Sequence, residues 1–200
     1  MTKTLLVATH NPGKVTEYAG LLSDLDINWR SLDDIGVTEE VDETGLTFLA
    51  NAKLKASAYA QAAGLLTLAD DSGLEVDALG GAPGIKTARF GGRGLSSEER
   101  YRFLLAKMQG IPLPDRQARF VCVIALAGAD GHILATATGT IDGFIALQPE
   151  GKGGFGYDPI FYLPDKECTM AQLPPATKHA LSHRGAALRA IDPQIRSILV

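Results

Sequence analysis

Two adjacent carboxylates carry the strongest chemical signal in this sequence. Asp70 and Asp71 follow an apolar run at residues 65–69 and precede Ser72 and Gly73. If the run is a buried strand, both carboxylates lie at its carboxyl end, which is where α/β proteins collect their binding sites. Neighbouring negative charges are costly unless a cation balances them, and Mg²⁺ is usually held by one or two carboxylates together with substrate phosphates. The pattern therefore predicts half of a metal and phosphate site; its alternative is a solvated Asp-Asp-Ser-Gly turn.

A short turn near the amino terminus could bind an anion. Residues 4–8 predict a strand, and apolar residues at helical spacing from Val15 onward predict a helix. A strand, a glycine turn and a helix start together expose backbone N–H groups to an anion, and Lys14 adds a positive charge. Because Val15 stands where a Walker A loop has Ser or Thr, the turn is not that motif, and a plain loop is the alternative. The candidate binding residues are Thr9, His10, Asn11, Pro12, Gly13 and Lys14.

Aromatic residues among glycines mark a second binding segment, at residues 149–159. Phe155 and Tyr157 stand among four glycines there, with Asp158 beside them. Glycine lets a backbone approach a ligand closely, and an aromatic face gives a nucleobase a surface on which to stack. We therefore predict a base-binding platform that includes Gly156 and the acceptor Asp158. The alternative is a glycine-rich hairpin whose aromatic side chains pack on the core.

Cationic and donor residues cluster just before a predicted helix at residues 186–191. They are Lys178, His183 and Arg184. Arginine suits the recognition of phosphate or of planar acceptors, although such a group alone is common on protein surfaces. Together, the anion-binding turn, the carboxylate pair, the aromatic platform and these cations describe a site for a nucleoside polyphosphate with Mg²⁺.

The elements that must position these residues indicate an α/β fold. Residues 118–127 are apolar on both faces, which is typical of a strand buried on both sides. A turn at residues 129–132 joins this strand to another at residues 133–141, and such a hairpin makes the sheet mixed. We therefore expect a long mixed β-sheet flanked by helices. Further predicted elements are strands at residues 27–30 and 160–163, a helix at residues 46–63 capped by Thr44 or Thr47, and a helix from a capping box of Ser96 and Glu99 to about residue 109.

The composition limits the class of protein. A chain of 200 residues suggests one domain of one or two lobes. Its net charge of −4 gives no basic field for nucleic acid. Its two cysteines, Cys122 and Cys168, form no disulfide framework, which favours a reducing compartment. Since the sequence has neither a signal peptide nor an apolar run of about 20 residues, we expect a cytoplasmic protein without membrane or nucleic-acid partners.

Beyond these single motifs, the sequence resembles the inosine triphosphate pyrophosphatase family. This family includes the bacterial dITP/XTP pyrophosphatases, which remove non-standard purine nucleotides. The resemblance covers nearly the whole chain and is specific because many blocks occur in order. The blocks are residues 8–14, 43–48, 51–56, 69–74, 79–84, 154–159 and 182–185.

The resemblance implies a reaction in which water attacks the α-phosphate of a nucleoside triphosphate and releases pyrophosphate. It implies that Asp71 is the general base and a ligand of Mg²⁺. A second acidic ligand would come from the loop of Asp42 and Glu43, and the offset within the motif points to Asp42. Asp70 and Lys55 would support the metal-bound water and the phosphates. One departure is Ala50, where the family commonly has Glu; no role is carried over to it.

The resemblance also implies which predicted segment binds each part of the substrate. Residues 9–14 would hold the triphosphate with Ser72 and Lys178, and residues 155–158 would enclose the base with His183 and Arg184. His183 or Arg184 would donate to O6 of a 6-oxo purine, whereas the 6-amino group of adenine would leave that donor unpaired. The family further implies two lobes with the active-site cleft between them, and a homodimer.

Other functions are compatible with the same residues. The nearest is a pyrophosphatase that acts on modified pyrimidine or standard nucleoside triphosphates. A nucleotide sensor without turnover is a second alternative, although a binder would not need a base beside the metal. A nucleic-acid-binding module is disfavoured by the net charge of −4.

Overall fold

The computed structural model of the protein describes residues 3–199, apart from the side chain of His179. Its strands are β1 (Lys3–Val7), β2 (Ile27–Arg30), β3 (Thr67–Val76), β4 (Gln117–Ala127), β5 (Ile133–Ile145), β6 (Phe161–Leu163) and β7 (Cys168–Thr169). Its helices are α1 (Pro12–Leu21), α2 (Phe48–Ala63), α3 (Ser97–Lys107), α4 (Pro175–Leu181) and α5 (His183–Leu199). No helix within residues 3–199 is both long and apolar enough to span a membrane.

The strands of the described chain form one mixed sheet, in the order β2-β1-β3-β4-β5-β6-β7. Strand β1 is parallel to both β2 and β3, whereas β6 is antiparallel to β5 and to β7. With its flanking helices, this sheet confirms the predicted α/β class and the mixed sheet. The chain divides into two compact units. Strands β3, β4 and β5 each contribute residues to both units.

The first unit comprises Met1–Asp71, Cys122–Gly139 and Arg184–Val200. Successive side chains of a strand point to opposite faces of a sheet, and the core follows that rule. On one face Leu5 and Leu68 belong to a buried cluster with side chains of α1 and α5, such as Tyr18 and Leu188. Leu6 lies in a separate buried cluster with Tyr59 of α2 and Leu32. Helices thus cover this part of the sheet on both sides.

The second unit comprises Ser72–Val121 and Thr140–His183. Its core joins Leu74 of β3, Leu104 of α3 and Phe161 of β6 in one buried cluster. Helix α3 begins at the predicted capping box, in which Ser96 Oγ accepts from Glu99 N–H and the Glu99 carboxylate accepts from Ser96 N–H. This pairing satisfies backbone donors that the first turn would leave without partners, so that prediction is confirmed.

Strand β3 does not end before the carboxylate pair, contrary to the prediction. Asp70 and Asp71 lie inside Thr67–Val76, so the interpretation of the stretch as a turn is also wrong. The strand that does end nearby is β1, whose last residue, Val7, pairs with Leu68. The carboxylates therefore lie beyond the end of a neighbouring parallel strand rather than at the end of their own.

The other differences concern element bounds. Helix α2 begins at Phe48 rather than residue 46, with Thr47 as its cap. Strand β5 continues to Ile145, beyond the predicted end at residue 141. Helix α5 spans His183–Leu199 instead of residues 186–191, and α4, which begins at Pro175, was not predicted. Proline is in fact well suited to the first turn of a helix, where its missing N–H costs nothing.

Candidate active site

Strand β3 directs the two adjacent carboxylates to different partners. Both residues are buried, Asp70 with 5% and Asp71 with 8% of its surface exposed. Since neighbouring side chains of a strand point to opposite faces, Asp70 shares the α1 and α5 face with Leu68, and Asp71 meets α2. Each carboxylate therefore has its own cation, and the two charges do not need to share one.

Asp70 is held by two cations. Lys14 Nζ lies 2.9 Å from both carboxylate oxygens, and Arg184 Nε lies 3.9 Å from Oδ2. Arg184 NH1 also donates to Glu17 Oε2 at 2.8 Å, and both of these side chains are less than one-tenth exposed. Four charged groups from β3, α1 and α5 thus form one network, in which only Lys14 is partly exposed.

The network fixes the charge of Asp70. Burial alone would raise the pKa of the Asp70 carboxyl, but Lys14 and Arg184 outweigh burial and hold the pKa well below its usual range. Burial likewise would lower the pKa of the Arg184 guanidinium, and Asp70 is the main reason that this pKa is raised instead. Asp70 therefore stays ionised and keeps Lys14 in place at the start of α1.

Asp71 is bound by residues one helical turn apart. Asn51 Nδ2 donates to Asp71 Oδ2 at 3.1 Å, and Lys55 Nζ lies 3.5 Å from Asp71 Oδ1. Residues four apart in a helix share a face, so α2 presents both to the same carboxylate. The Asn51 side-chain oxygen also accepts from Gly45 N–H at 2.8 Å, which ties the loop before α2 to the site. Lys55 Nζ donates to Glu43 Oε1 at 2.6 Å.

The pKa values of the Asp71 and Asp70 carboxyls are shifted in opposite directions. Burial raises the pKa of the Asp71 carboxyl, and the opposing effects of Lys55 and Asn51 do not cancel this rise. Burial lowers the pKa of Lys55, but Asp71 and Glu43 outweigh it, so that this amine stays charged. Neighbouring groups whose pKa values are pushed apart indicate separate acid and base roles. Asp71 is thus the carboxylate suited to exchanging a proton, and Asp70 is suited to a constant charge.

The residues around Lys55 could supply some of the ligands of a divalent metal. Asp71 and Glu43 both face one ammonium, and Mg²⁺ needs one or two such carboxylates when substrate phosphates supply other ligands. Asp42, the predicted second ligand, is exposed, and it is the neighbouring Glu43 that contacts Lys55. Within residues 3–199, no group of three or more His, Cys, Asp or Glu side chains is placed to hold a metal.

The turn at residues 9–14 forms the start of α1. Asn11 caps the helix, because its side-chain oxygen accepts from Gly13 N–H at 2.9 Å, and Pro12 is the first helical residue. Thr9 Oγ1 accepts from Asn11 N–H at 3.1 Å. His10 Nδ1 lies 2.6 Å from Asp33 Oδ1, at the surface. The structure therefore has the predicted strand, turn and helix start, with Thr9 and Asn11 holding the turn itself.

A second group of predicted residues lies in the second unit. Asp158 Oδ2 accepts from Phe155 N–H at 2.7 Å and from Lys178 Nζ at 2.5 Å. Lys178 Nζ also lies 4.7 Å from the centre of the Phe155 ring, over its face. Gly154 has a φ of 75°, and a Cβ there would collide with Asp158. Glycine is therefore required at this position for the loop to close around the carboxylate.

The two aromatic residues of this loop have different environments. Phe155 is 65% exposed, which leaves a face open to a ligand. Tyr157 is 3% exposed, and its hydroxyl donates to the Thr87 carbonyl oxygen at 3.0 Å. Burial is the main cause that raises the pKa of Tyr157 well above its usual value. The predicted platform thus corresponds to Phe155, whereas Tyr157 packs on the core as the alternative proposed; between them Gly156 adopts a φ of 60°.

The remaining predicted residues complete these groups. The His183 ring stacks on Phe120 with 5.0 Å between ring centres. Ser72 follows Asp71 in β3 and is half-buried. Arg184 joins Asp70 and Glu17 rather than the aromatic loop.

Sequence reasoning gave no role to Glu17 or Asn51, which both contribute to the carboxylate sites, and it chose Asp42 over the neighbouring Glu43. For Asn51 a signal was available, because it stands four residues before Lys55 on one helix face. Glu17 stands three residues after Lys14, a spacing that also places two side chains on one face, but its partner is 167 positions away in the chain.

Comparison with known proteins identifies relatives over almost the whole chain. A profile of the Ham1 family matches residues 5–194. A protein of Exiguobacterium sp. named dITP/XTP pyrophosphatase is 49% identical over 191 residues, which are 96% of each chain. One of the same name from Yersinia pseudotuberculosis is 48% identical over 193 residues, or 96% of this chain and 98% of that protein.

Solved structures agree with these sequence matches. A HAM1 protein from Coxiella burnetii superimposes with a TM-score of 0.89 at 40% identity and covers 99% of this chain and 98% of its own. A dITP/XTP pyrophosphatase from Mycobacterium abscessus gives a TM-score of 0.79 at 42% identity, with coverage of 95% and 99%. On sequence and structure alike, this chain belongs to the Ham1 family.

Proposed function

We propose that the protein hydrolyses non-standard purine nucleoside triphosphates, namely ITP, dITP and XTP, to the monophosphate and pyrophosphate. The observation that carries this proposal is the adjacent pair in β3, in which Asp70 is kept charged by Lys14 and Arg184 while the pKa of Asp71 is raised. Its relatives named dITP/XTP pyrophosphatase support the choice of substrate.

The phosphate-binding part comprises the start of α1 and the residues around it. The positive end of the helix dipole and a nearby lysine are suited to an anion. We assign the triphosphate to residues 9–14 and Ser72, with Lys14 as the main cation because Asp70 holds it at the helix start. For Lys178, its contacts with Asp158 and Phe155 favour a role beside the base over the predicted role at the phosphates.

The hydrolytic step is assigned to Asp71. A general base must take a proton from the attacking water, and Asp71, unlike Asp70, is not held by two cations. Asn51 and Lys55 orient its carboxylate. A Mg²⁺ ion held by Asp71 and Glu43 would supply charge neutralisation and a more acidic water.

Base recognition is assigned to the second unit. Phe155 offers an exposed ring on which a purine can stack, and Asp158 and Lys178 keep its loop in place. Arg184 is engaged by Asp70 and Glu17, so we assign the donor to purine O6 to His183. A 6-amino purine would leave this donor without an acceptor, which costs binding energy in a closed site.

We further propose, from the family resemblance, that the protein is a homodimer of the cytoplasm. Light scattering on the purified protein should give about twice the chain mass of 21.1 kDa. A mass of one chain at micromolar concentration would contradict the dimer.

A panel of nucleotides tests the substrate. Release of pyrophosphate from ITP, dITP, XTP, ATP, GTP, UTP and TTP is measured with Mg²⁺ present. We expect kcat/KM for ITP and XTP to exceed that for ATP by about 10- to 100-fold, because one unpaired buried donor costs about 1–3 kcal/mol. Faster turnover of UTP, TTP or ATP would refute the assignment.

Substitution of Asp71 tests the general base. Asp71→Asn keeps the shape of the side chain but removes the proton acceptor, so kcat should fall by about 10²- to 10⁴-fold while ITP still binds. Asp77→Asn serves as the matched control, since this carboxylate is about half exposed and pairs with Arg119 in the second unit. Normal kcat in Asp71→Asn, with calorimetric binding of ITP intact, would remove Asp71 from the mechanism.

Substitution of the neighbouring acids tests the metal ligand. Glu43→Gln should raise the Mg²⁺ concentration for half-maximal activity about tenfold or more, because a neutral amide binds a hard cation poorly. Asp42→Asn is the matched control at the adjacent, exposed position and should leave the Mg²⁺ dependence unchanged. The reverse pattern would restore Asp42 as the ligand.

A further inference from the structure

Phe120 makes a contact that the proposed function does not use. Its ring lies parallel to the His183 imidazole, with 5.0 Å between ring centres and 14° between planes. Phe120 also packs against Phe161, with 4.5 Å between ring centres. Phe120 is 7% exposed and Phe161 is fully buried. The imidazole thus rests on an aromatic pair that is itself anchored in the core of the second unit.

This stack determines where His183 can direct a hydrogen bond. The N–H donors and the lone pair of an imidazole all lie in the plane of its ring. The backbone of His183 is fixed at the start of α5, so the ring has only its two side-chain torsions left to vary. A flat neighbour parallel to the ring favours one plane among the available rotations. The direction of the donor is therefore set by Phe120 as well as by the helix.

We propose that Phe120 is a positioning residue that holds the plane of the His183 ring and thereby sets the preference for 6-oxo over 6-amino purines. The proposal rests on the proposed role of His183 as the donor to O6. Discrimination requires a donor that cannot turn away from an amino group. Without the stack, the imidazole can rotate or present its unprotonated nitrogen, and a 6-amino base then meets an acceptor instead of an unpaired donor.

A purely structural role for Phe120 makes a different prediction. Phe120 belongs to the buried cluster that includes Leu74 and Tyr157, so any smaller side chain also leaves a cavity. Loss of packing alone lowers stability and the activity toward every nucleotide in the same proportion. Loss of positioning lowers the ratio of activities for ITP and ATP. The ratio is therefore the informative quantity.

The test compares kcat/KM for ITP and for ATP in three variants. Phe120→Leu keeps an apolar side chain but removes the flat face, and its ITP to ATP ratio should fall about tenfold, which is the effect of one hydrogen bond of ordinary strength. Phe120→Tyr keeps the ring and should retain the wild-type ratio within about twofold. Phe103→Leu removes a ring from the Phe90 pair elsewhere in the second unit and should leave the ratio unchanged.

A second measurement reports on the stack without activity. In the wild type, ring-current shielding by Phe120 should shift the imidazole C–H resonances of His183 upfield, and Phe120→Leu or, if that variant does not fold, Phe120→Met should abolish the shift. An unchanged ratio in folded Phe120→Leu, or the absence of the shift in the wild type, overturns the inference. A wild-type ratio near one refutes the proposed substrate instead, so the two failures are distinguishable.

Discussion

The alternation of side chains along β3 is the constraint on which the candidate site depends. Asp70 and Asp71 are neighbours in sequence, and two carboxylates on one face would repel each other in a buried setting. Because a strand sends them to opposite faces, each can have a separate cation. Lys14 and Arg184 neutralise the first, and Lys55 faces the second. The helices on both sides of the sheet must therefore supply basic residues beside this carboxylate pair.

This arrangement also explains why the two carboxylates can differ in role. Asp70 is surrounded by positive charge, so we propose that it organises the site rather than exchanging protons. Through Lys14 it holds the start of α1, and through Arg184 it links that helix to α5. Asp71 has an amide, an amine and a second carboxylate as its surroundings. Removing either Asp71 or Lys55 would leave the charge of the other uncompensated in a buried setting, which costs several kcal/mol.

Much of the fold could be predicted from local pattern. The strand at residues 118–127 and the capping box at Ser96 lie where the sequence placed them, because apolar runs and capping residues act locally. The course of β3 could not be predicted in this way. Ser72 and Gly73 are typical of a turn, but the strand continues through them to Leu74 and Val76, which are buried in the core of the second unit. Packing of these two residues against residues distant in the sequence overrides the local preference of Ser72 and Gly73 for a turn.

The sequence allowed the types of the site residues to be predicted more readily than the residues that they contact. The carboxylates and the aromatic loop were identified from their chemistry, and Lys55 was identified from the family resemblance. The choice between Asp42 and Glu43 depends on the conformation of one loop, which Asn51 fixes by accepting a hydrogen bond from Gly45. Likewise nothing local distinguishes exposed Phe155 from buried Tyr157. Contacts between residues distant in sequence decide such alternatives, and a single sequence does not contain them.

The central claim is that Asp71 and Lys14 mark where the reacting phosphates bind. A crystal structure with Mg²⁺ and an analogue of ITP whose α,β-bridging oxygen is replaced by a methylene group tests this most directly. Our account predicts the metal on the Asp71 carboxylate and the phosphate chain in contact with Lys14 and the start of α1. A phosphate chain bound elsewhere, with Asp71 in contact with neither metal nor ordered water, would contradict it.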